Sequence, residues 1–452
     1  MADKLRELWV WMNGEHVGVW HRGRTGNHRF TYEPAWLTSP RVRPLSLSMP
    51  ITPDRTVSGE LVANYFDNLL PDDDRIRRRV AARFKTSSTE AFELLQAIGR
   101  DCVGAVQLLP PDADPAGFDR IQCEPMSDAD IEQHLRGVVS TPAFGDDRDE
   151  DDFRISIAGA QEKTALLRLD GQWCKPLGAT PTTHIIKLPL GLVGGRRLDL
   201  THSVQNEWLC AQFLRELGLP VAHTEMARFG EQMALVVERF DRAWATRATD
   251  GQRWIARLPQ EDLCQVLGLP SGAKYESFGG PSMQGCTQIM LASQAPEADV
   301  ANFLCTQLAF WLLAATDGHA KNFSVFLLPD GRYRMTPLYD VISLWPVVGN
   351  GANQVPWRAA KLAFAVRSKN VHYTMHSILP RHWQGVALRA GVEGVWQAML
   401  ALMDRVEPAI DAVQTRLPGD FPERTADAVF AGVRSQLKRW RDGLTALEAA
   451  AN

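Results

Sequence analysis

The stretch RISIAGAQEKTALLRLDGQWC, residues 154–174, decides the fold class of this chain. Runs rich in β-forming residues at 154–157 and 164–169 predict two strands, and 172–174 predicts a third strand after an Asp-Gly turn. The segment between the first two strands holds a glycine with small neighbours, which lets backbone N–H groups approach a phosphate closely. A tight turn built around a glycine explains this segment more simply, so alone it indicates phosphate binding only weakly.

The segment between these strands consists of Ala158, Gly159, Ala160, Gln161, Glu162 and Lys163. Its Lys-Thr end invites comparison with the nucleotide-binding motif GxxxxGK[ST]. That motif is rejected, because Glu162 occupies the place of its second glycine and a strand follows instead of a helix. A glycine loop that joins two strands is the device with which protein kinases cover the phosphates of ATP.

Along the chain, strands give way to helices. Short strands are predicted at 183–188 and 233–237, and residues 203–217 have a helical periodicity that ends at a glycine and a proline. Farther on the pattern is mostly helical, notably at 302–315, with one β-hairpin at 323–336. Strands first and helices afterwards predict an α+β fold with two lobes.

The residues before residue 154 form a separate region. Two β-rich runs flank an Asn-Gly pair near the N-terminus and predict a hairpin, and residues 59–100 have the apolar stripes of helices. A Pro- and Asp-rich segment at 110–117 and an acidic run at 146–152 indicate exposed connections. The predicted parts are a β-rich N-terminal subdomain at 1–110, an acidic connecting segment at 111–152, the rest of the N-lobe at 153–255 and a helical C-lobe at 256–452.

The composition is that of a globular protein and excludes several classes. Of the 452 residues, 45% are hydrophobic and 23% charged, with a net charge of −4, so neither wholesale disorder nor a surface that binds nucleic acid throughout is expected. Seven cysteines without a CxxC pair argue against a thiolate zinc site and a disulfide framework. No signal-peptide core and no bilayer-spanning apolar run are present, which predicts a soluble, cytoplasmic chain without a membrane partner.

A lysine and a glutamate occur in the order found in protein kinases. Lys187 lies between apolar residues on a predicted strand, and Glu207 lies on the next predicted helix. A helix glutamate that fixes a strand lysine against the α/β-phosphates is a kinase device. An ordinary edge-strand lysine and a solvated helix glutamate are the alternatives.

The strongest signal follows the apolar helix at 302–315. Asp317 and Asn322 have the spacing of the kinase catalytic loop, in which the aspartate accepts the proton of the substrate hydroxyl and the asparagine ligates Mg²⁺. Asp340, straight after the predicted hairpin, stands where kinases place another Mg²⁺ ligand. The match is partial, because Ala-Thr replaces the His-Arg pair before the catalytic aspartate and no glycine follows Asp340. A solvated turn after a helix is the alternative for this segment.

These signals occur in the order that a kinase requires: phosphate loop, strand lysine, helix glutamate, catalytic loop and metal-binding aspartate. In addition, Glu238, Arg239 and Phe240 follow a predicted strand and are placed to form a hinge that offers backbone groups to adenine. A strand end with an exposed glutamate is the alternative there. The joint order makes kinase chemistry the leading interpretation.

The sequence also resembles the HipA family of serine/threonine kinase toxins from bacterial toxin–antitoxin systems. The matching strings run from about residue 40 to 345 and include PLSLSMP, YFDNLLPDD, IGRDCVGAVQL, FRISIAGAQEKTALLR, TPTTHIIKLP, VERFDR, RLPQEDLCQ, GLPS with KYES, ATDGHAKNFSVF and TPLYDVIS. The long, unusual strings AGAQEKTALLR and ATDGHAKNFSVF make the resemblance specific. It implies a two-lobed, protein-kinase-like fold with a β-rich N-terminal subdomain and a mostly helical C-terminal lobe.

The resemblance implies an ATP and Mg²⁺ site. Asp317 would be the catalytic base, and Asn322 and Asp340 would bind Mg²⁺. ATP would be bound by the loop 158–163 and by Lys187, Glu238, Arg239, Phe240, Gln260, His319, Ala320, Lys321, Asn322, Tyr339 and Asp340.

The resemblance further implies that Ser156 is a regulatory serine, whose autophosphorylation expels the phosphate loop and silences the kinase. A phosphate of nearly two negative charges beside that loop would repel the nucleotide. A strand serine bonded to its neighbours is the alternative.

Partners are likewise implied by the resemblance. They are a HipB-type helix-turn-helix antitoxin, operator DNA reached through the antitoxin complex, and a protein substrate, a glutamate-type aminoacyl-tRNA synthetase, whose modification halts translation and promotes dormancy. Candidate DNA contacts are Arg381-His382 and the basic cluster Lys438, Arg439 and Arg441, although a solvated helix face explains the cluster better.

Two other classes of protein stay open at this point. One is a small-molecule kinase of the aminoglycoside type, which has a similar catalytic loop. The other is an inactive kinase-fold corepressor, against which the intact set of Asp317, Asn322 and Asp340 argues.

Overall fold

The computed structural model describes residues 6–111, 113–139, 156–159 and 161–451, which divide into two compact units. The first unit comprises residues 1–188, 227–273 and 324–333, and the second comprises 189–226, 274–323 and 334–452. Three predictions fall wholly or partly outside the described residues: Ala160 of the loop, the acidic run at 146–152 and the first half of the strand at 154–157.

The strands are β1 (Arg6–Met12), β2 (Glu15–Arg22), β3 (His28–Tyr32), β4 (Thr56–Ser58), β5 (Val106–Leu109), β6 (Cys123–Pro125), β7 (Lys163–Leu169), β8 (Gln172–Pro176), β9 (His184–Lys187), β10 (Gly191–Val193), β11 (Leu198–Leu200), β12 (Thr224–Phe229), β13 (Gln232–Glu238), β14 (Arg242–Thr246), β15 (Arg253–Arg257), β16 (Gln260–Asp262), β17 (Ser324–Leu327), β18 (Tyr333–Met335), β19 (Lys361–Arg367) and β20 (Val371–Thr374).

The α-helices are α1 (Pro34–Leu37), α2 (Glu60–Asp67), α3 (Asp74–Arg83), α4 (Ala91–Ile98), α5 (Asp128–Val139), α6 (Ser203–Glu216), α7 (Leu263–Val266), α8 (Met283–Leu291), α9 (Pro296–Leu313), α10 (Pro380–Leu388), α11 (Val395–Asp404), α12 (Val406–Gln414) and α13 (Glu423–Ala451). Single turns of 3₁₀ helix occur at Ser271–Ala273, Glu276–Phe278, Ala320–Asn322, Pro329–Gly331, Trp345–Val347, Trp357–Ala359 and Met375–Ser377.

A five-stranded antiparallel sheet organises the N-terminal part of the first unit, with strand order β4-β3-β2-β1-β5. The predicted hairpin is confirmed: it turns at Asn13 and Gly14, which both have the positive φ that a tight hairpin turn needs. Residues 59–100 form three helices rather than continuous helix, because Pro71 interrupts the pattern and Asp73 caps a new helix by accepting the Arg75 N–H at 2.7 Å.

A second sheet of the first unit has the order β13-β9-β7-β8-β6, with the Ala227–Phe229 part of β12 at its edge. The strands predicted at 164–169, 172–174 and 183–188 are confirmed as β7, β8 and β9. The prediction of a connecting segment over 111–152 is wrong for residues 123–139. Here β6 joins the sheet and α5 packs Ile131 and Leu135 onto it, because the helix carries its own apolar stripe.

The strand predicted at 154–157 does not form at its two described residues. Instead the Ser156 N–H donates to the Asp101 carbonyl at 3.1 Å, and the Ser156 hydroxyl donates to the Leu69 carbonyl at 2.7 Å. Both groups are used by contacts distant in sequence, so no strand ladder takes them. Residues 256–273, which were predicted to belong to the C-lobe, are part of the first unit.

The second unit is mainly helical and is organised around α9. This helix is buried on nearly all sides, as its uniformly apolar sequence requires, and it contacts α8, α11 and α13. A hairpin of β19 and β20 was not predicted, because the central residues of β19 are all buried and show no alternation that would distinguish a strand from a helix. Within the described part of the chain, no helix has both the length and the apolar character needed to cross a membrane.

Candidate active site

A loop packed against α9 follows this helix in the second unit. The helix ends at Leu313, and Ala314 reverses the chain with a left-handed φ of +50°. Gly318 lies against the ring of Phe310, and a Cβ at this position would overlap that ring. The loop therefore requires glycine at 318 before it continues into the 3₁₀ turn Ala320–Asn322.

Asp317 presents its carboxylate to solvent from this loop. Its side chain is 65% exposed, whereas that of His319 is 5% exposed. The Tyr275 hydroxyl donates a hydrogen bond to Asp317 Oδ1, and His319 Nε2 lies 3.8 Å from the same oxygen. An accessible carboxylate that its neighbours hold in place is suited to accept a proton from an incoming hydroxyl group.

Asn322 is buried beside Asp317. Its Nδ2 donates to the Asp317 carbonyl at 2.7 Å, and its own N–H donates to the His319 carbonyl at 2.9 Å. Because the Nδ2 end of the amide is used in this way, Oδ1 is the end that can coordinate a cation. The loop thus combines a solvent-facing carboxylate with an oriented amide oxygen.

Asp340 is held near this loop by its neighbours in sequence. The Tyr339 hydroxyl donates to the Lys321 carbonyl at 2.9 Å, and the Leu338 N–H donates to the Pro220 carbonyl at 2.8 Å. Asp340 itself has a φ of +60°, a conformation that is uncommon for a residue other than glycine. Such strain is found where a side chain must be aimed at a functional position.

Two lysines lie directly opposite one another in the first unit. In the antiparallel pair of β7 and β9, Lys163 is the partner of Lys187, so both side chains project from the same face of the sheet. Lys187 is only 5% exposed. Ammonium groups on one face of a sheet are suited to bind an anion with several oxygen acceptors through charged hydrogen bonds. Phosphate groups are anions of this kind.

The described part of the loop before Lys163 is held by its own contacts. Gly159 has a φ of +117°, and a Cβ there would overlap the Lys163 ammonium, whose Nζ donates to the Ala158 carbonyl at 3.0 Å. Gln161 is buried and donates to the Leu188 carbonyl at 2.5 Å, and Glu162 forms an ion pair with Arg79. The side chains of Gln161 and Glu162 therefore brace the loop.

The predicted adenine hinge shows a division of roles. Glu238 is exposed at the end of β13, and Phe240 packs edge-on against Phe326 with ring centroids 5.8 Å apart. Arg239 is buried, and its guanidinium donates to Asp241, Thr182 and the Cys102 carbonyl. Its side chain is thus committed to internal contacts, so any contribution of Arg239 to a ligand would come from its main chain.

Arg239 belongs to a buried charge network that the sequence did not reveal. The network contains two carboxylates and three guanidinium groups, those of Asp101, Asp241, Arg239, Arg242 and Arg257. Burial opposes ionisation of Asp101, but the three arginines outweigh burial and hold the pKa of this carboxyl far below its usual range. Burial lowers the pKa of Arg242 to about 10. The network therefore stays charged at neutral pH.

Gln260 is connected to this network. Its Nε2 donates to Asp241 Oδ2 at 3.2 Å, while its Oε1 is buried and has no hydrogen-bond partner among the described residues. An unsatisfied buried oxygen is unusual and is consistent with a group that a ligand or water completes. Gln161 Oε1 is likewise buried without a partner among the described residues, so two members of the predicted nucleotide set, Gln161 and Gln260, have an unsatisfied acceptor.

The remaining predicted residues are distributed over both units. Glu207 is buried on α6 in the second unit, whereas Lys187 lies in the first, so their pairing stays a prediction.

Of the candidate DNA contacts, Lys438 pairs with Asp442 on its own helix, and Arg439 donates to the His376 carbonyl. His382 stacks on His372 with ring centroids 4.0 Å apart.

The structure also adds a residue that sequence reasoning missed. Tyr275 contacts both Asp317 and His319 but lies far from them in sequence. It belongs to the KYES string, in which spacing alone gives no indication of a role.

Among the described residues, no group of three or more His, Cys, Asp or Glu side chains is clustered as a metal site. Mg²⁺ does not require such a group, because it usually keeps several waters and binds one or two carboxylates together with substrate phosphates.

Comparison with known proteins assigns the chain to a family. The HipA N-terminal domain matches residues 8–109, and the HipA-like C-terminal domain matches residues 155–417. The chain belongs to the HipA family.

Named relatives are consistent with this assignment. A protein of Sinorhizobium fredii, Y4mE, provisionally named a kinase, is 32% identical over 392 residues, which cover 86% of each chain. The serine/threonine-protein kinase toxin HipA of Shewanella oneidensis is 28% identical over 312 residues, which cover 67% of each chain.

A solved structure has the same fold. HipA in the Shewanella oneidensis MR-1 complex of HipA, HipB and operator DNA superposes with a TM-score of 0.76 at 24% identity, covering 96% of this chain and 97% of that one. This likeness confirms the predicted α+β, HipA-like fold.

Proposed function

We propose that this HipA-family chain is a Mg²⁺- and ATP-dependent serine/threonine protein kinase that acts as the toxin of a toxin–antitoxin pair. The observation that carries the proposal is the loop in which exposed Asp317 accepts from Tyr275 while Asn322 is oriented by the Asp317 carbonyl. Relatives named as kinases support the same activity. This arrangement contains the two groups that protein kinases place on their catalytic loop.

Three residues of the second unit, Asp317, Asn322 and Asp340, each have a defined task in this proposal. Asp317 would orient the acceptor hydroxyl and take up its proton as the oxygen attacks the γ-phosphate, while the bond from the γ-phosphorus to the bridging oxygen breaks and ADP leaves. Asn322 Oδ1 and the Asp340 carboxylate would hold Mg²⁺, for which oxygen ligands are the preferred donors. When bound, Mg²⁺ supplies positive charge that offsets the charge on the phosphates.

The first unit contributes nucleotide contacts. Lys163 and Lys187, which are cross-strand partners in β7 and β9, would bind phosphate oxygens through charged hydrogen bonds. Main-chain N–H groups of the loop 158–163 would add further hydrogen bonds to the phosphates. The main chain at Glu238–Phe240 and the free acceptor of Gln260 would contact the base or ribose.

Ser156 is proposed as a regulatory phosphorylation site. It is fully buried, and its hydroxyl is bonded to the Leu69 carbonyl. A phosphate has no room in that position, so phosphorylation requires Ser156 and the adjoining loop to leave it. The added negative charge would then oppose nucleotide binding at the neighbouring lysines.

The partners follow from the family and remain proposals. The similar Shewanella protein is found in a complex with HipB and operator DNA, which supports a HipB-type helix-turn-helix antitoxin and an operator as partners of this chain. We propose a glutamate-type aminoacyl-tRNA synthetase as the protein acceptor, whose modification would halt translation and promote dormancy.

Phosphate transfer can be tested on the purified chain by intact-mass spectrometry after incubation with Mg²⁺ and ATP, with fragmentation to locate any phosphate. The wild type should gain phosphate at Ser156, and Asp317→Asn should gain none. Equal labelling of the Asp317→Asn variant would refute the assigned base. Absence of both labelling and MgATP binding in the wild type would refute the kinase proposal and favour an inactive corepressor.

A further inference from the structure

A fixed turn in the second unit carries an exposed phenylalanine. Residues 274–280, KYESFGG, form one 3₁₀ turn that ends at Gly279 with a φ of +89°. The N–H groups of Phe278 and Gly280 both donate to the Tyr275 carbonyl at 2.9 Å, which closes the turn. Phe278 itself is 72% exposed.

The turn is attached on one side to the loop that carries Asp317. The Ala320 N–H donates to the Lys274 carbonyl at 3.0 Å, and the Tyr275 hydroxyl donates to Asp317. The Tyr275 ring also lies edge-on to His319, with ring centroids 4.9 Å apart and planes at 87°. One main-chain hydrogen bond and two contacts of the Tyr275 side chain therefore fix the turn relative to the proposed catalytic aspartate.

On its other side the turn is attached to β19. The Glu276 side chain is 4% exposed and its Oε2 accepts the Ala365 N–H at 2.7 Å. The Arg367 guanidinium binds Oε1 of the same carboxylate. Because both sides are held, the exposure of Phe278 is a property of a rigid turn and not of a frayed end.

Phe278 adjoins the residues around Asp317. Its ring lies edge-on to that of Tyr275, with centroids 5.9 Å apart and planes at 85°. Complete burial of a phenylalanine side chain is worth about 1.5–3 kcal/mol, and this gain is left unrealised in the free chain. An apolar group that arrives with the acceptor would bury both rings.

We propose that Phe278, together with the edge of Tyr275, is the docking position for an apolar side chain of the polypeptide acceptor. The inference rests on the proposed kinase function and narrows its substrate class to serine or threonine segments with an aliphatic or aromatic neighbour. The Phe278 ring lies 5.9 Å from the ring of Tyr275, whose hydroxyl contacts Asp317. Because an extended chain covers about 3.3 Å per residue, the apolar residue is expected roughly two to four positions from the phosphorylated one. In this scheme Tyr275 is a positioning residue for Asp317, and Phe278 determines specificity.

The test uses the full chain with Mg²⁺, ATP and a dephosphorylated peptide library made by digesting a bacterial proteome. Phosphorylated peptides are identified by mass spectrometry for the wild type, for Phe278→Ser and for Leu388→Ser. Leu388 is a matched control, because it is 75% exposed in the same unit and lies on α10. Thermal unfolding of both variants verifies that they are folded.

The wild type and the Leu388→Ser variant should select apolar residues two to four positions from the phosphorylated site. Phe278→Ser should lose this selection, and its kcat/KM for selected peptides should fall about tenfold, chiefly through KM. Phosphorylated peptides without apolar selection, or selection unchanged in Phe278→Ser, would overturn the docking proposal and leave the kinase proposal standing. Phosphorylation of no peptide, together with no transfer to any protein, would overturn both.

Discussion

Glu261 is a single carboxyl group placed where water cannot reach it. It is fully buried on β16, its Oε1 accepts the Leu47 N–H at 2.8 Å, and its Oε2 has no hydrogen-bond partner among the described residues. Burial raises the pKa of Glu261 to about 8, with a smaller contribution from the charge of Asp262. At neutral pH this side chain is therefore mainly protonated in the folded chain.

The protonation of Glu261 predicts a pH-dependent stability. Between pH 4.5, the ordinary pKa, and about 8, the folded chain retains a proton that the unfolded chain releases. The contribution of Glu261 to the free energy of unfolding is thus greatest below this window and falls as the pH rises through it, by at most about 1.4 kcal/mol per pH unit. Glu261→Gln should remove this part of the slope, and denaturant unfolding from pH 5 to 8 measures it. Parallel slopes for the variant and the wild type would contradict the assignment.

Among single residues, sequence reasoning identified those whose proposed role depends on their spacing along the chain. Asp317 and Asn322 are close in the chain, and the structure joins them by a hydrogen bond. Tyr275 and the orphaned oxygen of Gln260 were not identifiable, because their environments come from segments distant in sequence. The assigned roles of all these residues remain predictions.

Among the elements, the β7–β9 pair has the most direct functional meaning. Lys163 and Lys187 are cross-strand partners on one face of the sheet, and the Lys163 Nζ also donates to the Ala158 carbonyl at 3.0 Å. In the proposed function this face binds the phosphate groups of ATP, because ammonium groups form strong charged hydrogen bonds with phosphate oxygens.

Lys163→Met should separate stability from binding. Removing one of the opposed charges should leave the free energy of unfolding of the free chain within about 0.5 kcal/mol of the wild type or raise it. The affinity for MgATP should fall about tenfold or more, because one charged phosphate contact is lost. Calorimetric titration measures the affinity, and Lys175→Met on β8 of the same sheet is the control. Unchanged affinity in Lys163→Met would contradict a phosphate role for this face.

The elements themselves were partly predictable. β7, β8, β9 and α6 have clear periodicity and turn residues, and the structure confirms them. α5 was missed because its short apolar stripe lies within a stretch read as acidic and Pro-rich. The strand predicted at 154–157 does not form at Ser156 and Ile157, and the Ser156 N–H and hydroxyl instead donate to the distant carbonyl groups of Asp101 and Leu69. Composition thus hid the periodicity of α5, whereas tertiary contacts, which periodicity does not report, decided the failure at Ser156.

In the whole molecule, the buried charge network joins segments from the two family domains within the first unit. Asp101 comes from the HipA N-terminal domain, and the arginines 239, 242 and 257 come from the HipA-like C-terminal domain. Each buried charge requires its partners, because an unpaired ion in the interior is strongly unfavourable. The N-terminal domain is therefore part of the structure that supports the predicted hinge at 238–240.

Asp101→Asn should destabilise this unit severely. The change leaves three buried arginines with Asp241 as the remaining carboxylate of the network, which is expected to cost about 3–5 kcal/mol of the free energy of unfolding. Denaturant unfolding at pH 7 measures the loss. Asp170→Asn, in an exposed turn, is the control and should change stability by less than about 0.5 kcal/mol. A similar small change for Asp101→Asn would show that the network is not needed for folding.

The decisive experiment measures transfer of radiolabelled γ-phosphate from ATP to the proteins of a dephosphorylated bacterial cytosol. Asp317→Asn is compared with Asp330→Asn, whose side chain is 79% exposed and has no role in the proposal. The wild type and Asp330→Asn should label protein at equal rates, and Asp317→Asn should be slower by about a thousandfold. Label that appears only in small molecules would favour a small-molecule kinase, and equal rates in all three chains would contradict catalysis by Asp317.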